Sequence, residues 1–381
     1  MNEPRQSLPP QKTTMTTPAV KKITCIIGTR PEVIKMAPVI RALREEPHFR
    51  LTVLCSGQHR DLLAPLLEWF DITADGNLEV MTENQSLATL TARLMTSFDS
   101  CFSAAPPDLV IAQGDTTTVM CAALTCFYRK IPFAHVEAGL RTFDLQNPFP
   151  EELNRVVAGR LASFHFCPTP RAAHNVLSEH AAPATVHVTG NTVIDALHFT
   201  TARLGRDAHP RPGHQVLLTA HRRENFGAPL KNVFHAVRRL CDEFPQLSLL
   251  YPVHPNPNVR QPAHEILGGH PQITLTEPLS YPELVRAMRD ACFILTDSGG
   301  IQEEAPALGK PVLVLREATE RPEAVELGVA KLVGTDPDVI VSECRRLLTD
   351  SAHYEAMARG GSPYGDGHAA ERIAQILRDH L

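Results

Sequence analysis

The chain has 381 residues, of which 43% are hydrophobic and 21% charged, and its 37 basic and 42 acidic side chains give a net charge of −5. This composition is typical of a globular protein, and a chain of this length predicts two domains. The small net charge and the lack of long basic runs argue against nucleic acid and anionic membranes as partners.

The N-terminal segment and the cysteines indicate a cytoplasmic protein. Residues 1–21 are rich in Pro, Thr and Gln without an apolar core, which predicts a disordered lead-in and not a signal peptide or anchor. No later segment has about twenty unbroken apolar residues, so no membrane span is expected. The nine cysteines include no CxxC pair and lie mostly in apolar segments, as expected of reduced thiols in the cytosol.

Short apolar runs that end in small or polar residues alternate with longer amphipathic stretches. This alternation predicts parallel sheets covered by helices on both faces. In the first half, strands are predicted at 23–28, 51–57, 108–114, 132–139, 164–168 and 186–190. In the second half, they are predicted at 215–220, 247–254, 273–278, 292–299 and 311–315.

The two series of strands predict two doubly wound α/β domains, at 22–200 and 201–366. A polar stretch from about residue 200 to 214 separates them and is predicted to be a linker. The last segment, 367–381, has the pattern of an amphipathic helix. Ligands of doubly wound sheets bind at the carboxyl ends of the strands, so two facing domains are expected to form one cleft.

The segment TDSGGIQEE, Thr296 to Glu304, follows an apolar run and precedes a predicted helix. A glycine pair lets backbone N–H groups approach a ligand closely, and a helix N-terminus attracts anions. Ser298, Gly299 and Gly300 therefore suit a phosphate, and Glu304 suits the paired hydroxyls of a ribose. The alternative is an ordinary strand-to-helix turn in which Ser298 only caps the helix.

The segment GTRPEVIKMAPVI, residues 28–40, ends the first predicted strand and begins a helix at Pro31. Its cations Arg30 and Lys35 can both address the cleft, although solvated cations around a helix start are an alternative. The segment lacks the phosphate-loop pattern, and the chain has no suitable G-x-G-x-x-G. A nicotinamide cofactor is therefore not expected.

Three acidic residues fall at strand ends or helix starts of the first predicted domain. They are Asp115 in AQGDTTT, Glu137 in HVEAGLRT and Glu151 in NPFPEELNR. Such carboxylates suit acid or base work, because burial and neighbouring charges can tune their pKa values. A single one is more often a helix cap or an ion-pair partner, but three directed at one cleft favour catalysis.

Two histidines follow strands of the second predicted domain, His221 in TAHRRENFG and His254 in YPVHPNPNVR. No HExxH motif or Cys/His quartet is present, so no metal site is predicted. A diphosphate-binding histidine or a general acid is the functional interpretation, although for His254 alone a structural role is favoured. The chain also lacks a G-x-S-x-G elbow, which disfavours nucleophilic hydrolase chemistry.

Together with GQHR, TGNTVIDAL, TERPEA and PYGDG, these motifs resemble those of the bacterial non-hydrolysing UDP-N-acetylglucosamine 2-epimerases. The resemblance runs in order from about residue 22 to the C-terminus. It implies the glycosyltransferase-B type fold, in which two Rossmann-like domains face a central cleft and the final helix, 367–381, crosses back to the first domain. It also implies a homodimer without a cofactor that converts UDP-N-acetylglucosamine to UDP-N-acetylmannosamine reversibly.

The resemblance further implies roles for individual residues. Asp115, Glu137, Glu151 and His221 are the implied catalytic residues, and Arg30 and Lys35 are cations of the cleft. The implied UDP contacts are His221, Leu279, Leu284, Ser298, Gly299, Gly300, Glu304 and Arg321, with a leucine at 284 where relatives often place an aromatic. An activating second UDP-N-acetylglucosamine is implied beside Gln58, His59, Arg222 and His254.

The chemistry explains why such groups are needed. The proton on C2 of the sugar is not next to a carbonyl, so simple deprotonation is too costly. Loss of UDP from C1 acidifies that proton, and elimination then gives a 2-acetamidoglucal to which a proton and UDP are added again. The alternatives are a hydrolysing 2-epimerase, a retaining glycosyltransferase of the same fold, or a non-catalytic regulator that binds sugar nucleotides.

Overall fold

The computed structural model describes residues 20–57, 60–80, 82, 85–205, 214–359 and 361–381. In these residues the chain forms two parallel sheets. The strands of the first sheet are β1 Lys21–Ile27, β2 Phe49–Cys55, β3 Gly76–Asn77, β4 Leu109–Gln113, β5 Phe133–Val136, β6 Phe164–Cys167 and β7 Val186–Val188. Their order is β3-β2-β1-β4-β5-β6-β7, and each pairing is parallel.

The second sheet has the same winding. Its strands are β8 His214–Thr219, β9 Leu247–Pro252, β10 Ile273–Thr276, β11 Phe293–Thr296, β12 Val312–Val314 and β13 Ala330–Leu332. They lie in the order β10-β9-β8-β11-β12-β13 and are also parallel. We call the first sheet with its helices the first half, and the second sheet with its helices the second half.

Helices connect the strands, as parallel sheets require. Those of the first half are α1 Arg30–Glu45, α2 Arg60–Trp69, α3 Leu87–Ala104, α4 Thr117–Arg129, α5 Glu151–Leu161, α6 Pro170–Ser178 and α7 Thr192–Leu204. The next are α8 Ala228–Glu243, α9 Pro257–Leu267, α10 Tyr281–Asp290, α11 Gly299–Ala307, α12 Pro322–Glu326, α13 Pro337–Thr349, α14 Ser351–Ala358 and α15 Ala369–His380. The predicted α/β class with two doubly wound sheets is confirmed.

The strand orders place the ligand-binding crevice. Each sheet reverses its winding direction once, between β1 and β4 in the first and between β8 and β11 in the second. In doubly wound sheets, ligands bind outside the carboxyl ends of the strands at that point. The turns that follow β1, β4, β8 and β11 all line one cavity. The fold therefore points both crevices at the same space.

Every strand predicted from the sequence is present, and each ends one to three residues before its predicted end. The polar or small residues at those ends belong to the turns that follow. Two strands were missed, β3 and β13, because neither is an apolar run: β3 is only Gly76–Asn77, and β13 has Lys331 at its centre.

The predicted linker was wrong in its first residues, which are helical. Helix α7 continues to Leu204. Thr200 is fully buried, and its hydroxyl accepts a hydrogen bond from the Trp69 indole at 3.2 Å, so the helix is held past that point. Most of the remaining linker, and residues 1–19 of the predicted lead-in, lie outside the described residues. The domain limits stay predictions.

Helix α15 lies on the first half, although it follows the elements of the second. It packs on α1 and α7, where Ile373 and Leu377 are fully buried. The Asp195 carboxylate of α7 accepts a hydrogen bond from the Ala370 N–H at 2.8 Å and so binds the start of α15.

One buried apolar cluster joins helices of both halves. It includes Met36 of α1, Leu197 of α7, Val285 of α10, Ile301 of α11 and Ile373 of α15. Burial of this apolar surface stabilises the contact between the halves and so positions the two walls of the cleft.

Candidate active site

A cavity of about 660 Å³ lies between the carboxyl ends of the two sheets. All the predicted site residues line it except Gln58 and His59, which are outside the part of the chain that the structure describes. The lining residues are Arg30, Lys35, Asp115, Glu137, Glu151, His221, Arg222, His254, Leu279, Leu284, Ser298, Gly299, Gly300, Glu304 and Arg321. Another cavity, of about 730 Å³, lies beside α2 and β3 and contains none of them.

The turn between β1 and α1 is fixed by Glu32, which the sequence analysis did not single out. Its buried carboxylate accepts hydrogen bonds from the N–H groups of Gly28 and Thr29 and, at 2.6 Å, from the Thr116 hydroxyl. Burial raises the pKa of Glu32 to about 7, although these hydrogen bonds favour the charged form. Glu32 thus ties the turn after β1 to the turn after β4.

Lys35 points from α1 into a buried cluster of charges. Its Nζ lies 2.5 Å from Glu137 Oε1 and 3.2 Å from Glu303 Oε2. Glu303 in turn pairs with Arg321, whose Nε lies 2.7 Å from Glu303 Oε1. Burial opposes the charge of Lys35, but the two carboxylates outweigh it, and its pKa is raised. Lys35 is therefore a fixed cation, and the interpretation of solvated charges around the helix start is wrong for it.

Arg30 is more exposed and reaches across the cleft. Its Nη2 donates a hydrogen bond to the Leu279 carbonyl at 3.4 Å. Leu279 therefore contacts the first half through its backbone, while Leu284 of α10 contributes an apolar side chain to the cavity wall.

The three predicted carboxylates have very different partners. Glu137, at a backbone φ of +64°, accepts hydrogen bonds from Gln113, Asn191 and Lys35. Asp115 Oδ2 accepts two hydrogen bonds from the Arg155 guanidinium, at 2.7 and 3.0 Å.

Glu151, at the start of α5, is the carboxylate of this trio without a hydrogen bond or ion pair to any described residue. It lies next to Glu152, which is buried and binds Arg155 at 2.9 Å. Glu152 also accepts hydrogen bonds from two backbone N–H groups, those of Thr142 and Phe143. Of these two neighbouring glutamates, Glu152 therefore holds the local structure together, and Glu151 is left open to the cavity.

His221 follows β8 and presents its ring to the cavity. Its ring stacks on that of His254, with centroids 5.3 Å apart and planes at 6°. Its Nδ1 lies 3.6 Å from Oδ1 of the fully buried Asp297. Burial lowers the pKa of His221 more than the Asp297 carboxylate raises it. Arg222 follows in the same turn and also lines the cavity.

The turn after β11 presents N–H groups to the cavity. The Ser298 hydroxyl makes no cap hydrogen bond, so the prediction that it only caps the helix is wrong. The first N–H groups of α11 have no acceptor within the helix. A Cβ on Gly299 would lie 2.6 Å from Arg321 Cζ, so the glycine makes room for the guanidinium. A cation and the N-terminus of α11 therefore meet at one point, which suits a phosphate.

Glu304 is one helical turn further along α11. Its buried Oε1 accepts a hydrogen bond from the Tyr281 hydroxyl at 2.6 Å. Burial raises the pKa of Glu304 to about 7.

Sequence reasoning missed several residues that hold this site together. Glu303 and Asp297 stand inside the TDSGGIQEE segment, and their burial is the signal that only a structure supplies. Arg155, Gln113 and Asn191 come from other elements and meet the carboxylates through the fold.

A family model described as UDP-N-acetylglucosamine 2-epimerase matches residues 41–378. This chain belongs to that family. A UDP-N-acetylglucosamine 2-epimerase of Bacillus subtilis (strain 168) is 46% identical over 366 residues, which are 94% of this chain and 95% of that protein. The predicted resemblance is confirmed.

Solved structures of the family have the same fold. The UDP-GlcNAc 2-epimerase of Neisseria meningitidis, bound to UDP-GlcNAc, superposes with a TM-score of 0.89 at 43% identity, covering 94% of this chain and 100% of its own. An S. aureus protein solved with UDP has a TM-score of 0.87 at 44% identity, and the match covers 95% of this chain and 97% of that protein. The two-domain architecture of the glycosyltransferase-B type, predicted from the resemblance, is thereby confirmed.

The described residues contain neither a candidate membrane span nor a candidate metal site. None of the helices in this part of the chain has both the length and the apolar character needed to cross a membrane. Nor do the described His, Cys, Asp and Glu side chains form a group of three or more that is placed to hold a metal ion.

Proposed function

We propose that this chain converts UDP-N-acetylglucosamine and UDP-N-acetylmannosamine into each other by inverting C2 of the sugar. The observation that carries this proposal is the single cavity in which three carboxylates of the first half face the cations and free N–H groups of the second. Membership of the 2-epimerase family supports the same conclusion. The chemical steps follow from what each wall of the cavity can do.

The second half is proposed to bind UDP. Arg321 and the first N–H groups of α11, at Gly299 and Gly300, suit the diphosphate, because fixed donors there stabilise its negative charge. His221 lies on the same wall. Glu304 is one turn from this point and suits the ribose hydroxyls, while Leu279 and Leu284 suit the uracil face.

The reaction begins with the departure of UDP. The C1–O bond breaks, and the diphosphate oxygen keeps the electron pair. A carboxylate of the first half takes the proton from C2, and the electrons of the C–H bond form the C1=C2 double bond of a 2-acetamidoglucal. In the second stage a proton is added to the opposite face of C2, and the diphosphate oxygen forms a bond to C1 again.

The partners of the carboxylates support different tasks within this scheme. Glu151 has no partner among the described residues and is open to the cavity, so it can gain and lose a proton without breaking an ion pair. Asp115 is held by Arg155 but is still 30% exposed. Glu137 already accepts three hydrogen bonds, one of them from Lys35, and we assign it to holding that cation as well as facing C2.

The resemblance also supports a homodimer, and the cysteine usage supports a cytoplasmic location. Light scattering on the purified protein should then give about twice the 41.9 kDa of one chain.

The decisive experiment is incubation with UDP-N-acetylglucosamine in deuterated water without an acceptor. We expect UDP-N-acetylmannosamine with deuterium at C2, because the proton on C2 is lost and replaced from solvent. Free N-acetylmannosamine and UDP as the main products would indicate a hydrolysing enzyme. Binding of the substrate without turnover would indicate a regulator, and a requirement for an acceptor would indicate a glycosyltransferase.

A further inference from the structure

Asp297 stands at the carboxyl end of β11 and is fully buried. Its Oδ2 accepts hydrogen bonds from the N–H groups of His221 and Arg222, both at 2.8 Å, and from the Asn225 amide at 3.3 Å. The residue therefore fixes the turn after β8 against the end of β11, the two strands between which the second sheet reverses its winding.

The other oxygen of Asp297 is free for a different task. Oδ1 is buried and has no hydrogen-bond partner, and it lies 3.6 Å from His221 Nδ1. A buried carboxylate oxygen without a donor is costly to maintain. Its position beside the imidazole is consistent with a hydrogen bond that shortens when the ring is charged.

The surroundings of His221 show why such a partner matters. The ring lies in the cavity wall with 39% of the side chain exposed, stacked on His254 and next to Arg222. Burial, His254 and Arg222 all act against a positive charge on the ring, and Asp297 is the neighbour that favours it. A bound diphosphate would add negative charge beside the opposite ring nitrogen, Nε2, and would favour the imidazolium further.

We propose that Asp297 is the positioning residue of His221. It keeps the proton of the neutral ring on Nδ1 and stabilises the imidazolium that then donates a hydrogen bond through Nε2 to the departing diphosphate. This inference rests on the proposed function, since it assigns His221 to the leaving group. Asp297 takes up no proton itself, as in other pairs where a buried carboxylate orients a histidine.

The Asp297→Asn variant tests this because asparagine has the same shape. Its amide oxygen can still accept from the His221 and Arg222 N–H groups, so the turn is kept. Its NH₂ group then faces Nδ1 and cannot accept the Nδ1 proton, which disfavours the imidazolium. We expect kcat to fall tenfold or more and the loss of activity at high pH to begin at a lower pH.

A double-mutant cycle with His221→Asn separates positioning from general stability. If Asp297 acts through His221, Asp297→Asn lowers kcat less than twofold when His221 is already asparagine. The same factor in both backgrounds would overturn the proposal. Asp242→Asn is the matched control. Asp242 of α8 lies 3.1 Å from the ring of His270, away from the cleft, so this change should leave kcat unchanged.

Nuclear magnetic resonance of the histidine rings tests the pair without any turnover, and so independently of the proposed function. In the wild type, the nitrogen shifts of His221 should show the tautomer protonated at Nδ1, and an Nε2-protonated neutral ring would refute the proposal even if no variant folds. In Asp297→Asn, the pKa of His221 should fall by about one pH unit or more. An unchanged pKa would also refute it.

Discussion

Lys35 and Glu303 join the two halves across the cleft, with Nζ 3.2 Å from Oε2. Lys35 belongs to α1 of the first half and Glu303 to α11 of the second. The same two side chains bind Glu137 on one side and Arg321 on the other. This chain of charges spans the cavity wall and can form only while the halves are together.

Glu303→Gln should let the reaction intermediate escape. A neutral amide binds Lys35 and Arg321 less strongly, so the closed cleft is populated less and water enters it more easily. We expect the released fraction of 2-acetamidoglucal and UDP to rise several-fold relative to the epimer, and kcat to fall. Product ratios measured by chromatography after a fixed conversion check this.

Glu326→Gln is the matched control for this change. Glu326 also pairs across the halves, with Arg171 at 2.6 Å, but both side chains are about half exposed. Exposed pairs contribute little, so intermediate release should stay at the wild-type level. Equal release from both variants would show that Glu303 has no special part in closure.

Asp115→Asn, Glu137→Gln and Glu151→Gln should each lower kcat by a factor on the order of 10² or more, as expected for positioned acid or base groups. Exchange of the C2 proton with solvent should fall together with kcat if the carboxylate lies on the path of the proton. Steady-state rates and deuterium incorporation check both. Asp144→Asn, in an exposed turn, is the control and should keep the wild-type kcat. Near-normal kcat in all three carboxylate variants would contradict their assignment as acid or base groups.

Arg155→Met should destabilise the protein as well as impair it. Arg155 is buried between Asp115 and Glu152, and Glu152 is only 1% exposed. Removing one partner of a buried pair leaves an uncompensated charge, which costs about 3 kcal/mol or more. Urea denaturation measures this loss. Arg129→Met removes a half-buried partner of the exposed Asp99 and should change the urea midpoint of unfolding little. Equal losses of stability in the two variants would contradict the expectation.

Glu304 should make the protein less stable as the pH rises toward neutrality. Burial raises its pKa to about 7 from an ordinary value of 4.5. Between these values the folded protein holds a proton that the unfolded chain has lost, so the free energy of unfolding falls as pH rises, and it levels off above pH 7. In Glu304→Gln this contribution is absent. As the pH rises from 4.5 to 7, the free energy of unfolding of the variant should therefore increase relative to that of the wild type by on the order of 3 kcal/mol.

Urea denaturation across this pH range measures the effect, with Glu283→Gln as control. Hydrogen bonds from Ser280 lower the pKa of Glu283. Its contribution to stability is therefore lost only below its ordinary pKa, and Glu283→Gln should keep the wild-type pH dependence between pH 4.5 and 7. If the stability of Glu304→Gln and that of the wild type change with pH in the same way, Glu304 is charged over the whole range and the prediction is wrong.

Local patterns were enough to predict the two sheets and the turns that line the cavity. A buried parallel strand is a run of apolar residues, and the residue that follows it must lie at the carboxyl edge of the sheet, so Asp115, His221 and Ser298 could be placed together without a structure. The edge strand β13 escaped because Lys331 interrupts its apolar character. The end of α7 escaped because the contact that holds it, from Thr200 to Trp69, joins residues far apart in sequence.

The electrostatic arrangement of the site could not be predicted in the same way. Sequence identified Glu137 and Lys35 as cleft residues but not that they bind each other, since this depends on how α1 packs against the turn after β5. It also gave no reason to prefer Glu303 over Glu304, because only their positions on α11 decide which one faces Lys35. The roles of the individual residues stay predictions until the variants are measured.

Helix α15 has a consequence for how the protein is made. Its residues Ile373 and Leu377 complete the apolar packing of α1 and α7, yet they follow every strand of the second sheet in the chain. On the ribosome, the first half therefore cannot finish its core until the second has been synthesised. A frameshift that removes α15 alone should leave a nascent protein that chaperones and proteases recognise as unfinished.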